Sequence, residues 1–372
     1  MKNKAFIPFY GIDRMYKDNS SEISEIIDGI YRGGKMLMGP EIELFETAIS
    51  DHCDRKYAVA VGSCTDALYF SLKAAGINVG DEVLVTGFSY IASATPILRA
   101  GAIPVFVDIN SDNFQMNLDD LTSKVTAKTK AIINVNLFGE MLDPEKIIEL
   151  ADSHGLILIE DAAQSLGSEY HGRPSGSVGI SSCLSFDPTK IIGAFGNGGA
   201  VLCDKLETRD HIRKLRNHGK NNEGEFEILG YNSRMASAQA ALLSFQLGKL
   251  DSWIARSNEI AKLYNEKLSD IEQIITPKIR SGNIHTFHKY VIRTENRDEL
   301  KQHLSDIGIQ TLVHYGHVIP EQPLFKSTDQ NKEQLTVALK TKNEVLSLPI
   351  YPQLSNEEAG SICSAIRAFF EK

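Results

Sequence analysis

An α/β fold with a mostly parallel sheet, followed by a smaller second α/β unit, is what this sequence predicts. Three observations carry that reading. Short β-rich runs alternate with helical stretches up to about residue 205. Those runs are nearly continuous in apolar residues, as strands covered on both faces are. A strand–helix–strand pattern then recurs in the C-terminal third.

The first strand is expected at AVAV (58–61), and the helix TDALYFSLKAAG follows it. EVLV (82–85) is the second strand, with SYIASATPILRAG as its helix. IPVFVD (103–108), AIINVN (131–136) and LILIED (156–161) continue the alternation, which implies crossover units. CLSFD (183–187) and AVLCD (200–204) lie close together, so the sheet is expected to be mixed at one place. A helical zone spans 205–270, and KNNEGEFE (220–227) reads as a solvated loop. In the smaller unit, strands are expected at HKYVIRT (288–294) and TLVHY (311–315), with the helix RDELKQHLSDIG between them. SNEEAGSICSAIRAFF reads as a closing helix in which Ser355 and Glu358 form a capping box. There is no internal repeat.

Composition narrows the function. The chain has 372 residues, 42% of them apolar and 23% charged, enough for a large domain plus a small one. The formal charge of −9 argues against nucleic acid or an anionic membrane as the main partner. It leaves a small anionic ligand open, because a pocket can be locally positive. The five cysteines (Cys53, Cys64, Cys183, Cys203 and Cys363) are scattered, with no CxxC pair, which reads as reduced thiols in a cytoplasmic protein. MKNKAFIPFYGIDR holds no signal-peptide core, and runs such as LILI (156–159) are far short of a membrane span.

Open α/β sheets bind ligands beyond the carboxyl ends of their strands, so the polar residues there matter first. After the first strand come Ser63, Cys64 and Thr65, a turn whose free N–H groups and helix dipole suit a phosphate. After the second comes Tyr90, an aromatic plate. Asp161 and Gln164 follow the fifth, and Ser185 and Lys190 the sixth. Each alone has an ordinary explanation: a helix cap, core packing, a surface lysine. The glycine run 193–199 does not match the dinucleotide spacing, which disfavours a nicotinamide enzyme. Together the four features match the needs of pyridoxal 5′-phosphate. Its phosphate needs donors, its ring a flat contact, its ring nitrogen a carboxylate, and its aldehyde a lysine for a Schiff base.

The sequence also resembles the DegT/DnrJ/EryC1/StrS family of pyridoxal-phosphate-dependent sugar-nucleotide aminotransferases. The likeness runs from MLMGPEIELFE (36–46) to LSLPIYPQLSNEE (346–358), through GSCTDAL, GDEVLV, GAIPVFVDI, EDAAQSLGSEYHG, SFDPTKIIGAFGNGGA, LRNHG, GYNSRMASAQAALL and HYGHVIPEQPLF. It implies the aspartate aminotransferase type I fold, with a mixed, mostly parallel seven-stranded sheet. It further implies an N-terminal arm (1–30), a large cofactor-binding domain (31–250) and a small C-terminal domain (251–372).

By the same resemblance Lys190 is the Schiff-base lysine and Asp161 the partner of the ring nitrogen. Gln164 neighbours the pyridoxal hydroxyl and Tyr90 stacks on the ring. Ser63, Cys64, Thr65 and Ser185 hold the phosphate. Asn232 reaches the cofactor of a neighbouring subunit, which implies a homodimer with shared active sites. Arg234, His218, His314 and Tyr315 are candidate substrate contacts. No metal set is expected, since the pair His314 and His317 has no further ligand nearby. Departures from the family pattern fall at Asn136, Asn197, MASAQAA and His314-Tyr315-Gly316. They bear on substrate, not on Lys190 or Asp161. A histidine in place of Lys190 would mark the family's dehydratases, so the lysine favours transamination. The resemblance implies L-glutamate as donor, and Ser233 after Asn232 points to a dTDP-3-keto-6-deoxyhexose. The alternatives are a 4-keto sugar nucleotide and a cofactor-binding regulator without turnover.

Overall fold

Apolar strands of period two build the sheet, because each can bury residues on both of its faces. In the computed structural model, which describes residues 6–326 and 334–371, the chain opens with helices α1 (Ile12–Asp18), α2 (Ser20–Gly33) and α3 (Pro40–His52). Then come β1 (Tyr57–Val61), α4 (Cys64–Ala74), β2 (Glu82–Thr86), α5 (Thr95–Arg99), β3 (Ile103–Val107), α6 (Leu118–Ser123), β4 (Thr129–Val135), α7 (Pro144–Ser153) and β5 (Ile157–Asp161). The short strands β6 (Glu169–Tyr170) and β7 (Arg173–Pro174) precede β8 (Ser181–Ser185) and β9 (Gly199–Cys203). Three helices follow: α8 (Leu206–Arg216), α9 (Ser237–Leu247) and α10 (Leu250–Leu268).

The main sheet has seven strands in the order β1-β9-β8-β5-β4-β2-β3. β9 runs antiparallel to both β1 and β8, and the remaining pairings are parallel. This is the mixed, mostly parallel sheet expected from the sequence, with the break at the CLSFD and AVLCD runs. Alternate side chains go to opposite sides. Val59, Val61, Val83, Val85, Ile133 and Val201 pack with Leu68 and Leu72 of α4. On the other face, Ala58, Ala60, Leu184 and Leu202 meet Phe45 and Ile49 of α3 and Leu243 of α9. Leu84, Ile132 and Leu158 meet Ile147 of α7 there.

The C-terminal unit contains β10 (Asn283–Ile284), β11 (Tyr290–Arg293), α11 (Arg297–Asp306), α12 (Thr336–Glu344), β12 (Val345–Leu348) and α13 (Asn356–Phe370). β11 and β12 pair antiparallel, and their Tyr290, Ile292, Leu346 and Leu348 form a core with Tyr264 of α10 and Ile362 of α13. Ser355 caps α13, accepting from the Glu358 N–H at 3.1 Å, while Glu358 accepts from the Ser355 N–H at 3.0 Å. The expected capping box is present. Glu358 also takes a two-pronged bond from Arg14 at 2.7 and 2.8 Å. Ile7 bridges to Ile309, and the Phe9 N–H donates to Gln310 Oε1 at 2.9 Å.

Three expectations need correction. TLVHY (311–315) is not a strand; it makes a single bridge, Leu312 to Ser347, then turns. The true partner of β11 is β12, so the small sheet takes its second strand from later in the chain. SYIASATPILRAG is not one helix. A 3₁₀ turn at Ile91–Ser93 precedes α5, which starts only where Pro96 fits its first turn. The helical zone 205–270 breaks between α8 and α9, where Lys220 and Phe226 close a tight turn. All five cysteines are buried and free. Among the described residues no helix is long and apolar enough to cross a membrane.

Candidate active site

The carboxyl ends of β1, β5 and β8 open onto one cleft of about 530 Å³. At β1 the chain turns at Gly62, and Ser63 caps α4 by accepting from the Asp66 N–H at 3.1 Å. The N–H groups of Cys64 and Thr65 precede the first intrahelical bond, so they are left for a ligand. Gly199, the first residue of β9, lies against this turn. A Cβ there would stand 2.4 Å from the Ser63 carbonyl carbon, so only glycine permits the approach.

Asp161 ends β5 and is 3% exposed. Its Oδ2 accepts from Ser93 Oγ at 2.7 Å and its Oδ1 from the Ala163 N–H at 3.1 Å. Burial raises its pKa against the pull of those bonds and of Lys190. After β8, Asp187 Oδ1 accepts from the Thr189 N–H at 2.9 Å and from Thr189 Oγ1 at 2.6 Å. The Lys190 N–H closes the turn on the Asp187 carbonyl at 2.9 Å. Lys190 thus leaves a locked turn, half-buried, and burial lowers its pKa although Asp161 and Asp187 oppose this.

Gln164 accepts from the Phe138 N–H at 3.1 Å and donates to the Tyr315 hydroxyl at 3.1 Å. Tyr90 stands at the rim, 59% exposed, with its ring centroid 6.3 Å from that of Tyr315. His314 Nδ1 lies 2.8 Å from Ser347 Oγ, and burial, helped by Lys289 and Lys190, pushes its pKa down to about 3.

The cleft therefore brings together Ser63, Cys64, Thr65, Tyr90, Asp161, Gln164, Ser185, Lys190, His314 and Tyr315. It does not include Asn232, Arg234 or His218. Arg234 donates to Asn232 Oδ1 at 3.1 and 2.9 Å on the exterior, and His218 is exposed with φ of 59°. Ser233 is buried and braces the phosphate-type turn, accepting from the Gly62 N–H at 3.0 Å and donating to Asp66 at 2.7 Å. Asn136 also lies off the cleft; it donates to Glu160 at 2.7 Å.

Sequence reasoning missed Tyr10, Ser93, Asp187, Thr189, His288 and Lys289, all of which line the cleft. Lys289 lies in HKYVIRT beside His288 and before Arg293, so its charge did not stand out. Tyr10 gave no signal, because it arrives from a distant segment.

This donor set fits pyridoxal phosphate. A lysine of lowered pKa faces the same space as a buried carboxylate, and a glycine-tight helix start offers N–H and hydroxyl donors.

The sequence profile of the DegT/DnrJ/EryC1/StrS aminotransferase family matches residues 17–367. The chain is 37% identical to a pleiotropic regulatory protein of Geobacillus stearothermophilus, covering 98% of each. It is 36% identical to the dTDP-3-amino-3,4,6-trideoxy-alpha-D-glucose transaminase of Streptomyces venezuelae, over 98% of this chain and 97% of that one. Its fold is similar to the crystal structure of S. venezuelae DesV, with a TM-score of 0.96, 36% identity and 99% of both chains covered. Solved neighbours at lower identity hold the pyridoxal and pyridoxamine forms of the cofactor.

Proposed function

From the premise that this chain belongs to the DegT/DnrJ/EryC1/StrS aminotransferase family, and so is a pyridoxal-phosphate-dependent sugar-nucleotide aminotransferase, we propose its reaction in detail. The donor is L-glutamate and the acceptor a dTDP-linked 3-keto-6-deoxyhexose. The observation that carries the reading is Lys190 and Asp161 in one cleft with opposed shifts, the amine pushed toward neutral and the carboxylate buried beside it.

When bound, pyridoxal phosphate supplies an aldehyde that captures amines and a cationic ring that accepts electrons from the α-carbon. Ser63, Cys64, Thr65 and Ser185 would hold its phosphate. Asp161, held by Ser93 and the Ala163 N–H, would pair with the ring nitrogen and favour its protonated form. Tyr90 and Gln164 would flank the ring. Lys190 would hold the aldehyde, and its Nζ would take the α-proton of the donor and give a proton back on the sugar side. The lowered pKa favours the neutral amine that this step needs.

The two substrates use the site in turn, so the kinetics are ping-pong. His314 and Tyr315 meet the sugar. Asn232, Arg234 and His218 serve the site of a second subunit in a homodimer. Support for that assembly is the exposed apolar surface of Leu37, Met38, Phe226 and Leu229 in the segments that flank them. The 3-keto preference rests on the Streptomyces relative, since Ser233 itself faces away from the cleft. The Geobacillus relative's name keeps a regulatory reading in view, but a chain without turnover has no need of both Lys190 and Asp161. The reaction belongs in the cytoplasm, where nucleotide sugars are made.

The test is the visible spectrum of the purified protein. A yellow band that bleaches with L-glutamate and returns with a 3-keto sugar nucleotide supports the full proposal. Return with a 4-keto sugar alone moves the ring position. A colourless protein, even with added cofactor, overturns the role given to Lys190.

A further inference from the structure

The cleft contains a second lysine that the proposed chemistry does not use. Lys289 precedes β11 and is only 6% exposed. Its backbone N–H bonds the Phe138 carbonyl at 3.3 Å. Its ammonium meets ring faces, 4.6 Å from the centroid of Tyr10 and 5.4 Å from that of Phe9. Among the described residues no carboxylate pairs with it and no side-chain acceptor takes its protons. Buried lysines ordinarily have such a partner. Here burial, then Lys190, hold the pKa well below the usual lysine value, with Asp187 opposing. The fold places a buried amine with no acidic partner against the wall of its own substrate cleft, where an incoming carboxylate would favour the charged form.

The chemistry of the substrates explains what could relieve it. An amino-acid donor brings at least one carboxylate, and an acidic sugar brings another. A carboxylate that leaves water needs a cation or several strong donors. Lys190 is committed to the reacting carbon. His314 and His288 are both held neutral by burial, His314 with a pKa near 3 and His288 well below its usual value. No other lysine or arginine of this chain's own lining faces the cleft among the described residues, and the Arg234 assigned above to a neighbouring subunit's site is the one competing cation, which the Lys289 variants leave in place. A lysine ammonium is a compact point charge with three donors, suited to one small anionic group.

We propose that Lys289 is the carboxylate-binding residue of this cleft, taking the carboxylate of the amino donor or of an acidic sugar. The inference rests on the aminotransferase reading above, and its test separates the two.

The cofactor-loaded full chain is compared with Lys289→Met and, as a second neutral variant, Lys289→Gln. Glutarate, which has the carboxylates but no amine, is the first probe, followed by titration calorimetry. Its affinity should fall at least tenfold in both variants. Half-saturation by L-glutamate in the bleaching reaction should rise at least tenfold, with a limiting rate within threefold of wild type. The reverse half-reaction, started from a neutral amino-sugar nucleotide, should be unmoved. Loss of that arm only when the sugar bears a carboxylate assigns the acidic sugar as a further source. Cofactor-free Lys289→Met should melt at or above wild type, because a buried amine with no acidic partner has been removed; a purely structural lysine would lower the melt. Equal glutarate affinity in wild type and variants, or a neutral-sugar arm that falls as far as the glutamate arm, overturns the proposal. A wild type that binds glutarate through Lys289 yet is bleached by no donor sinks the assigned reaction and leaves the anion site standing.

Discussion

Glu160 and Asp161 are neighbours on β5 and both are buried, yet they point to opposite faces of the sheet and live in different worlds. Glu160 is saturated. Its two oxygens accept from Asn136 Nδ2, Ser175 Oγ, the Gly176 N–H, the Val178 N–H and Ser182 Oγ, at 2.7 to 3.2 Å. Arg55 lies beyond Ser182, bonded to it at 3.0 Å. Asp161 accepts one hydroxyl and one N–H and keeps lone pairs turned toward the cleft. The difference teaches how to sort buried charges. A carboxylate whose every acceptor site is filled belongs to the fold. One left under-filled beside a lysine of lowered pKa is waiting for a ligand.

The largest test of this contrast lies on the cleft side. Lys190→Ala should cut turnover at least ~1,000-fold, read by a steady-state amination assay, because both the covalent link and the base are lost. Its cofactor-free melting temperature should not fall, since burial already disfavours the lysine cation. On the opposite face, Glu160→Ala should lose about 3 kcal/mol in urea unfolding by stranding its buried amide, hydroxyl and N–H donors. If that variant unfolded like wild type but lost turnover, the contrast would collapse.

Asp161→Asn should lower kcat by about 10²–10³-fold through the loss of charge at the ring nitrogen. Its stability should move the other way. A folded pKa above the free value means that the ionised carboxylate opposes folding at neutral pH, and that the penalty vanishes as pH falls toward 3.8. Melts of the cofactor-free variant should therefore match or exceed wild type at pH 7, with the gap narrowing in acid. Ser93→Ala, which removes one bond to Asp161, should cost no more than about tenfold in kcat. The smallest effect belongs far from both carboxylates: Ser355→Ala should lose about 1 kcal/mol of stability in urea unfolding, with turnover unchanged.

Much of this was readable before any fold was known, and the exceptions share a cause. The main strands announce themselves because each is a dense apolar run, and strand ends then point to Ser63, Asp161, Ser185 and Lys190. β12 was missed because VLSL is a short run with a polar residue inside it, while TLVHY looked better by composition. Ser93, Tyr10 and Lys289 reach the cleft only through the folded arrangement: a 3₁₀ turn, the opening segment and the small unit. Local pattern carries no trace of such meetings. Asn232, Arg234 and His218 lie outside this chain's cleft, so the resemblance that singled them out did not place them in it.

The tie between the opening segment and the last third of the chain sets an order for biosynthesis. Tyr10 walls the cleft, but residues 7 to 14 are anchored by Ile309, Gln310 and Glu358. As the polypeptide emerges from a ribosome, the first residues made lack their anchors at 309, 310 and 358 until most of the chain has appeared. The sheet can assemble early, while its catalytic mouth stays unfinished until translation is almost complete. A nascent chain stalled before residue 308 would lack the partners that hold Ile7 and Phe9, and with them the anchoring of the wall that Tyr10 supplies.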